Sequence, residues 1–225
     1  MDVEAIVILS LAGLASVGLL AYVYVVLPAR LEGRFRESLR AFSLAVELRC
    51  PSHHGTTELA VRRSRQVGKV LGMSRRRIVD LEMAAELRDI GLCALPYRLI
   101  NGKPVSQWSE AEHEAYERHP ELSAAMLELV PSLRRLAHIV RTHHVPYDGS
   151  LGALYPTRDE LSLESRILKV VTDYGWLEAE MGSVDAQRAL VRLRGKDFDP
   201  QVVDAFLEVL TSEGALDYRR AVANA

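Results

Sequence analysis

His143-His144-Val145-Pro146-Tyr147-Asp148-Gly149 is the stretch from which the fold can be worked outward. Two adjacent imidazoles close a helix read over residues 132–143, and residues 147–159 follow as a loop. Upstream, His119 stands directly before Pro120, and Asp89 stands at the end of an earlier helical run. Imidazoles supply nitrogen ligands to a metal, and carboxylates bridge metals. Hydrolysis of a phosphodiester by two metals needs such a set gathered from several helices, because the metals bind the attacking water and clamp the phosphate oxygens.

The segments between these residues read as helices. Leu31, Phe35, Leu39, Phe42 and Val46 recur at helical spacing over residues 29–49. Cys50-Pro51-Ser52-His53-His54-Gly55 breaks that run. A helix over residues 57–71 ends at Gly72, and Ser74 caps the next, which carries Ile78, Leu81, Met83, Ala84 and Leu87. Ser109-Glu110-Ala111-Glu112 is a capping box. Pro120 suits the first turn of another helix. Helices over residues 163–180 and 184–194 precede Asp199-Pro200, an N-cap and first helical residue for a final amphipathic segment. No stretch alternates as a strand does. The class is all-α, a helical bundle.

Residues 5–27 contain no charged side chain. A helix of that length rises about 34 Å, enough to cross a hydrocarbon core of about 30 Å. Tyr22 and Tyr24 fall at its interfacial end, and Pro28, Arg30, Arg34, Arg36 and Arg40 follow. Asp2 and Glu4 precede it and no base does. The basic flank is therefore C-terminal, which predicts a single-pass protein of the cytoplasmic (inner) membrane with its N-terminus outside and its C-terminal domain in the cytoplasm. The expected organisation is a transmembrane anchor at 1–28, a linker helix at 29–49 and a helical domain at 50–225. Net charge is −2, so no global field draws nucleic acid to the chain. Two isolated cysteines, Cys50 and Cys93, make no disulfide framework.

Taken in order, the blocks resemble the HD-GYP branch of the HD phosphohydrolase superfamily, which cleaves cyclic di-GMP. Leu87-Arg88-Asp89-Ile90-Gly91, with Pro96 further on, is similar to that family's L-H-D-I-G-K-x-x-I-P. Arg118-His119-Pro120-Glu121 matches its R-H-P-E, and His143-His144 through Gly149 resembles H-H-E-x-x-D-G. Arg166-Ile167-Leu168 precedes the slot of A-D-x-x-D-A, and Phe198-Asp199-Pro200 resembles the closing segment. The resemblance covers residues 43–210 and implies an HD-like helical bundle.

The departures follow a pattern. Thr56, Arg88 and Thr172 stand where the family has a histidine, a histidine and an aspartate. Leu92 and Val145 replace a lysine and a glutamate, the G-Y-P is gone, and Asp173 lies one position beyond the Thr172 slot. By the resemblance, one of two metals has kept only Asp89 of its ligands. The other keeps Asp89, His119, His143 and His144. A guanidinium cannot be deprotonated, so Arg88 is expected to replace the lost cation's charge by pairing with Asp89. The retained ligands then read as vestigial.

The resulting expectation is a non-catalytic, membrane-anchored scaffold or accessory subunit of a larger membrane complex, its cytoplasmic domain a docking body. The alternatives are a sensor of cyclic di-GMP or another nucleotide, and a residual single-metal phosphodiesterase. Expected partners are other membrane subunits and the bilayer, with no nucleic acid. No cofactor is expected, one divalent metal (zinc, manganese or iron) being the alternative.

Overall fold

The computed structural model describes residues 2–50, 55–102 and 105–223. Residues 51–54, on which part of the expected break falls together with His53 and His54, lie outside the described residues. The chain divides into two units, Met1–Ala41 and Phe42–Ala225.

The first unit holds α1, Val3–Ala21, a π-helical turn at Tyr22–Val26, and the beginning of α2, Leu27–Arg49. The π turn has a local cause. Pro28 brings no N–H, and its ring collides with the carbonyl four residues back. The wider turn absorbs the misfit, and the Leu27 N–H donates to the Tyr22 carbonyl, five residues back. A window within residues 3–49 reaches a mean hydropathy of 2.3 with none of it buried, so this helix is long and apolar enough to cross a membrane.

The second unit is all helix, with no strand among the described residues. It starts from the end of α2 and continues through α3 (Thr56–Val70), α4 (Arg75–Leu87), α5 (Tyr97–Asn101) and α6 (Glu110–Glu117). Then come α7 (His119–Glu128), α8 (Ala137–Arg141), α9 (Leu163–Met181), α10 (Ser183–Leu193) and α11 (Pro200–Ala223). α9 is the central element, packed on α3, α4, α8, α10 and α11. Its buried residues include Ile167, Leu168, Val171 and Tyr174. Tyr174 meets Phe206 of α11 edge to face at 5.1 Å, both rings fully buried.

The caps explain where helices begin. Ser74 accepts from the Arg77 N–H, and Ser109 with Glu112 forms both halves of a capping box. α3 starts after Gly55, which has no side chain to cap with. Glu47 of α2 does the work instead, accepting from the Gly55 and Thr57 N–H groups at 3.1 and 2.8 Å. A carboxylate there also suits the positive end of the helix.

Candidate metal and phosphate site

Four side chains from three parts of the bundle converge, and each is aimed by its own local backbone. His119 is the first residue of α7, and Pro120 fixes the turn that follows it. Its Nδ1 lies 2.8 Å from the Tyr116 carbonyl, and its ring packs 5.0 Å from the Tyr116 ring. His143 follows the end of α8, where helix carbonyls run out of partners. Its Nδ1 meets one of them, Val140 O, at 2.6 Å. His144 turns the other way, with Nδ1 3.1 Å from Oδ1 of Asp173 on α9. Asp173 Oδ2 accepts from Lys169 Nζ at 2.8 Å, and that ammonium also donates to the His144 carbonyl at 3.2 Å.

These contacts fix the tautomers. A carbonyl or a carboxylate only accepts, so each Nδ1 must carry the proton. In a neutral ring Nε2 then carries the lone pair. One ring nitrogen from each of His119, His143 and His144 lies within 4.8 Å of the others, and His143 Nε2 is buried with no hydrogen-bond partner among the described residues. Burial, together with neighbouring His144 and His119, holds the His143 pKa well below 6.5, so that ring is neutral. Burial works against the Asp173 charge, but Lys169 and His144 outweigh it and hold the carboxyl down to about 2. Asp173 is thus a fixed negative partner for His144.

Asp89 stands beside the imidazoles. Its Oδ1 is 3.5 Å from His119 Nε2, and its Oδ2 is 3.0 Å from Arg88 Nη2. Arg88 is 2 % exposed. Its Nη1 donates to the Ala85 carbonyl at 2.7 Å and its Nη2 to Thr56 Oγ1 at 3.3 Å. Arg88 Nε and Thr172 Oγ1 are buried with no partner among the described residues. Gly91 sets the spacing between Asp89 and His119. A Cβ there would stand 2.4 Å from the His119 carbonyl and 2.6 Å from the Ser123 N–H nitrogen, so only glycine lets this turn lie on α7. The Gly91 N–H donates to Ser123 Oγ at 2.8 Å.

Two metals do not fit this donor set. Thr56, Arg88 and Thr172 line a cavity together, and none is an anionic or imidazole ligand. A single divalent cation does fit the three imidazoles, with Asp89 beside His119 and with the outer contacts that orient metal-binding histidines already made by Tyr116, Val140 and Asp173. Asp173 was legible in the sequence only as a neighbour of the Thr172 slot. In the structure it faces His144. The outer partners at Tyr116, Val140 and Lys169 left no mark in the sequence beyond the Lys169–Asp173 spacing of one helical turn.

Residues 40–202 match the family described as HD domain. The cyclic di-GMP phosphodiesterase response regulator RpfG of Xanthomonas campestris is 34% identical over 189 residues, covering 78% of this chain and 48% of that protein. A cyclic di-GMP phosphodiesterase of Thermotoga maritima is 29% identical over 192 residues, covering 82% and 51%. The chain therefore spans about half the length of these curated relatives. Among solved structures, the cyclic GMP-AMP specific phosphodiesterase V-cGAP3 of V. cholerae superimposes with a TM-score of 0.63 at 13% identity, covering 78% of this chain and 48% of that one. The HDG"Y"P protein Bd1817 of Bdellovibrio bacteriovorus gives 0.58 at 16% identity, covering 69% and 51%.

Proposed function

Since the chain belongs to the HD domain family, on its HD-GYP branch, we propose that it is a membrane-anchored phosphohydrolase that uses one divalent cation, with the Arg88 guanidinium in place of a second. Its substrate class is the cyclic dinucleotide that its relatives are named for. One observation carries this reading: three imidazoles, each with Nδ1 close to an acceptor, bring one ring nitrogen apiece within 4.8 Å of one another, and Asp89 Oδ1 lies 3.5 Å from His119 Nε2. His143 kept only as a core residue would have no reason to leave its buried Nε2 without a partner among the described residues, which costs about 1–3 kcal/mol.

Asp89 and the three histidines would hold the cation, which supplies Lewis acidity and an acidified water when bound. Tyr116, Val140 and Asp173 keep the rings aimed. Arg88 holds the second oxygen of Asp89 and places a permanent positive charge beside the reacting phosphate. That charge is weaker than a metal's, so turnover is expected to be slow beside that of a two-metal enzyme. The basic flank at Arg30–Arg40 supports a cytoplasmic position for the catalytic unit.

The test is hydrolysis of cyclic di-GMP by the purified full chain loaded with manganese, iron or zinc. Turnover should appear, and His119→Ala should abolish it. A metal-loaded chain without turnover would sink the catalytic reading. That outcome favours a second one, supported by the burial of Arg88 on Asp89: a docking scaffold in a membrane complex, recognised by subunits that co-purify after mild detergent extraction.

A further inference from the structure

The two carboxylate oxygens of Asp89 serve different neighbours. Oδ1 lies 3.5 Å from His119 Nε2, and Oδ2 takes Arg88 Nη2 at 3.0 Å. A cation on the histidines needs the first oxygen. A guanidinium that slid onto it would repel that cation strongly at this depth. Arg88 must therefore be kept on Oδ2. The Ala85 carbonyl, in the last turn of α4, holds Nη1 at 2.7 Å. Nη2, the nitrogen that reaches Asp89, has its other acceptor in Thr56 Oγ1 at 3.3 Å.

Thr56 opens α3, yet α3 does not set its position. Gly55 before it is in the left-handed region, φ 76°, and has no side chain to cap with. Glu47 of α2 holds the backbone on both sides of Thr56. Its Oε2 accepts from the Gly55 N–H at 3.1 Å and its Oε1 from the Thr57 N–H at 2.8 Å. Glu47 is buried, and it lines with Asp89 a cavity of about 10 Å3, too small for more than about one water. Burial works against the Glu47 charge, but hydrogen bonds from Thr57 and Gly55 and the charge of Arg88 outweigh it and hold the pKa below its ordinary value. The group that fixes Thr56 is thus a carboxylate at neutral pH.

We infer that Glu47 is a positioning residue of the cation site: acting through Thr56, it keeps Arg88 on Asp89 Oδ2 and leaves Oδ1 to the cation. The inference rests on the one-cation reading, and it adds a residue from α2, a helix that supplies no ligand. It also gives Thr56 a use in the position where a ligand has been lost. The hydroxyl there stops the replacing charge from crossing to the cation's side.

Zinc affinity of the full chain in detergent, measured by competition with a chelator, tests it. Glu47→Gln keeps one acceptor oxygen for the α3 cap and loses the other. Thr56→Val removes the hydroxyl and changes no charge. Each should weaken zinc about 10-fold, the lower end of the range for outer partners of metal ligands. Thr56→Ser should keep the parental affinity. The double variant should bind no more weakly than Glu47→Gln alone, because both changes act on one contact. Losses that add would overturn the route through Thr56 and make Glu47 a direct electrostatic partner of the cation. Parental affinity in Thr56→Val overturns the inference by itself, whether or not Glu47→Gln folds, and leaves the one-cation reading intact with Glu47 as a cap alone. A parent chain that binds no zinc removes both.

Discussion

Arg88 carries its positive charge at a depth where charges are stable only in pairs. Asp89 takes it at 3.0 Å, and Thr56 and the Ala85 carbonyl fill two further donor positions. Arg88→Ala therefore strands a buried carboxylate. Denaturant unfolding should show a loss of about 3–5 kcal/mol, the usual cost of removing one partner of a buried pair. Arg88→His restores an imidazole and removes the repelling charge, so zinc or manganese affinity should rise above that of the parent, as elemental analysis and competition titration would show. Asp173 acts at the same scale without touching the cation. Through Oδ1 it keeps the His144 proton on Nδ1, and Lys169 holds the other oxygen. Asp173→Asn should lower metal affinity about 10- to 100-fold, the range found for outer-shell partners. Unchanged affinity would mean that His144 needs no such support.

At the scale of elements, the site depends on two close approaches. The first sets the turn at Ile90–Ala94 on α7, where Gly91 lies against the His119 carbonyl and Ser123. Gly91→Ala must push the two apart, and overpacking of this kind costs about 1–3 kcal/mol. The separation also moves Asp89 from His119, so stability and metal affinity should fall together. A variant that loses stability but keeps its affinity would show that Asp89 is placed by something else. The second approach joins α4 to α9. Arg77 reaches Glu164 through Nε and Nη2 at 2.7 and 2.9 Å. Arg77 is thereby committed to the bundle, whereas the sequence alone shows it as one of three consecutive arginines at a helix start.

At the scale of the whole molecule, the apolar helix and the basic flank at Arg30–Arg40 motivate a topology prediction. A membrane-impermeant thiol reagent applied to intact cells should label Asp2→Cys. It should miss Cys93, the exposed native cysteine of the second unit, until the cells are opened. Labelling of Cys93 from outside would reverse the orientation. Cys50 is no reporter in either case, since it is fully buried and burial lifts its thiol to about 11.

The sequence by itself determined the helical class, the order of the elements and most of their starts. Ser74, Ser109-Glu112 and Pro120 act within one turn of where they stand, so their effect needs no knowledge of distant partners. It also named the residues at issue, Asp89, His119, His143 and His144 as well as Thr56, Arg88 and Thr172, because each lies in a recognisable local block. It could not show the cap on α3, since Gly55 is capped by Glu47 from the preceding helix. Nor could it show the purpose of Asp173. One position along a helix turns a side chain by about 100°, and that rotation takes Asp173 out of the Thr172 slot and onto His144. Whether the histidines form a site was also beyond local reading. Their Nδ1 contacts are partly local, to Tyr116 and Val140, but the convergence of the three rings depends on how α7 and α8 pack. A ligand set is a property of distances between helices, and only the tertiary structure fixes those.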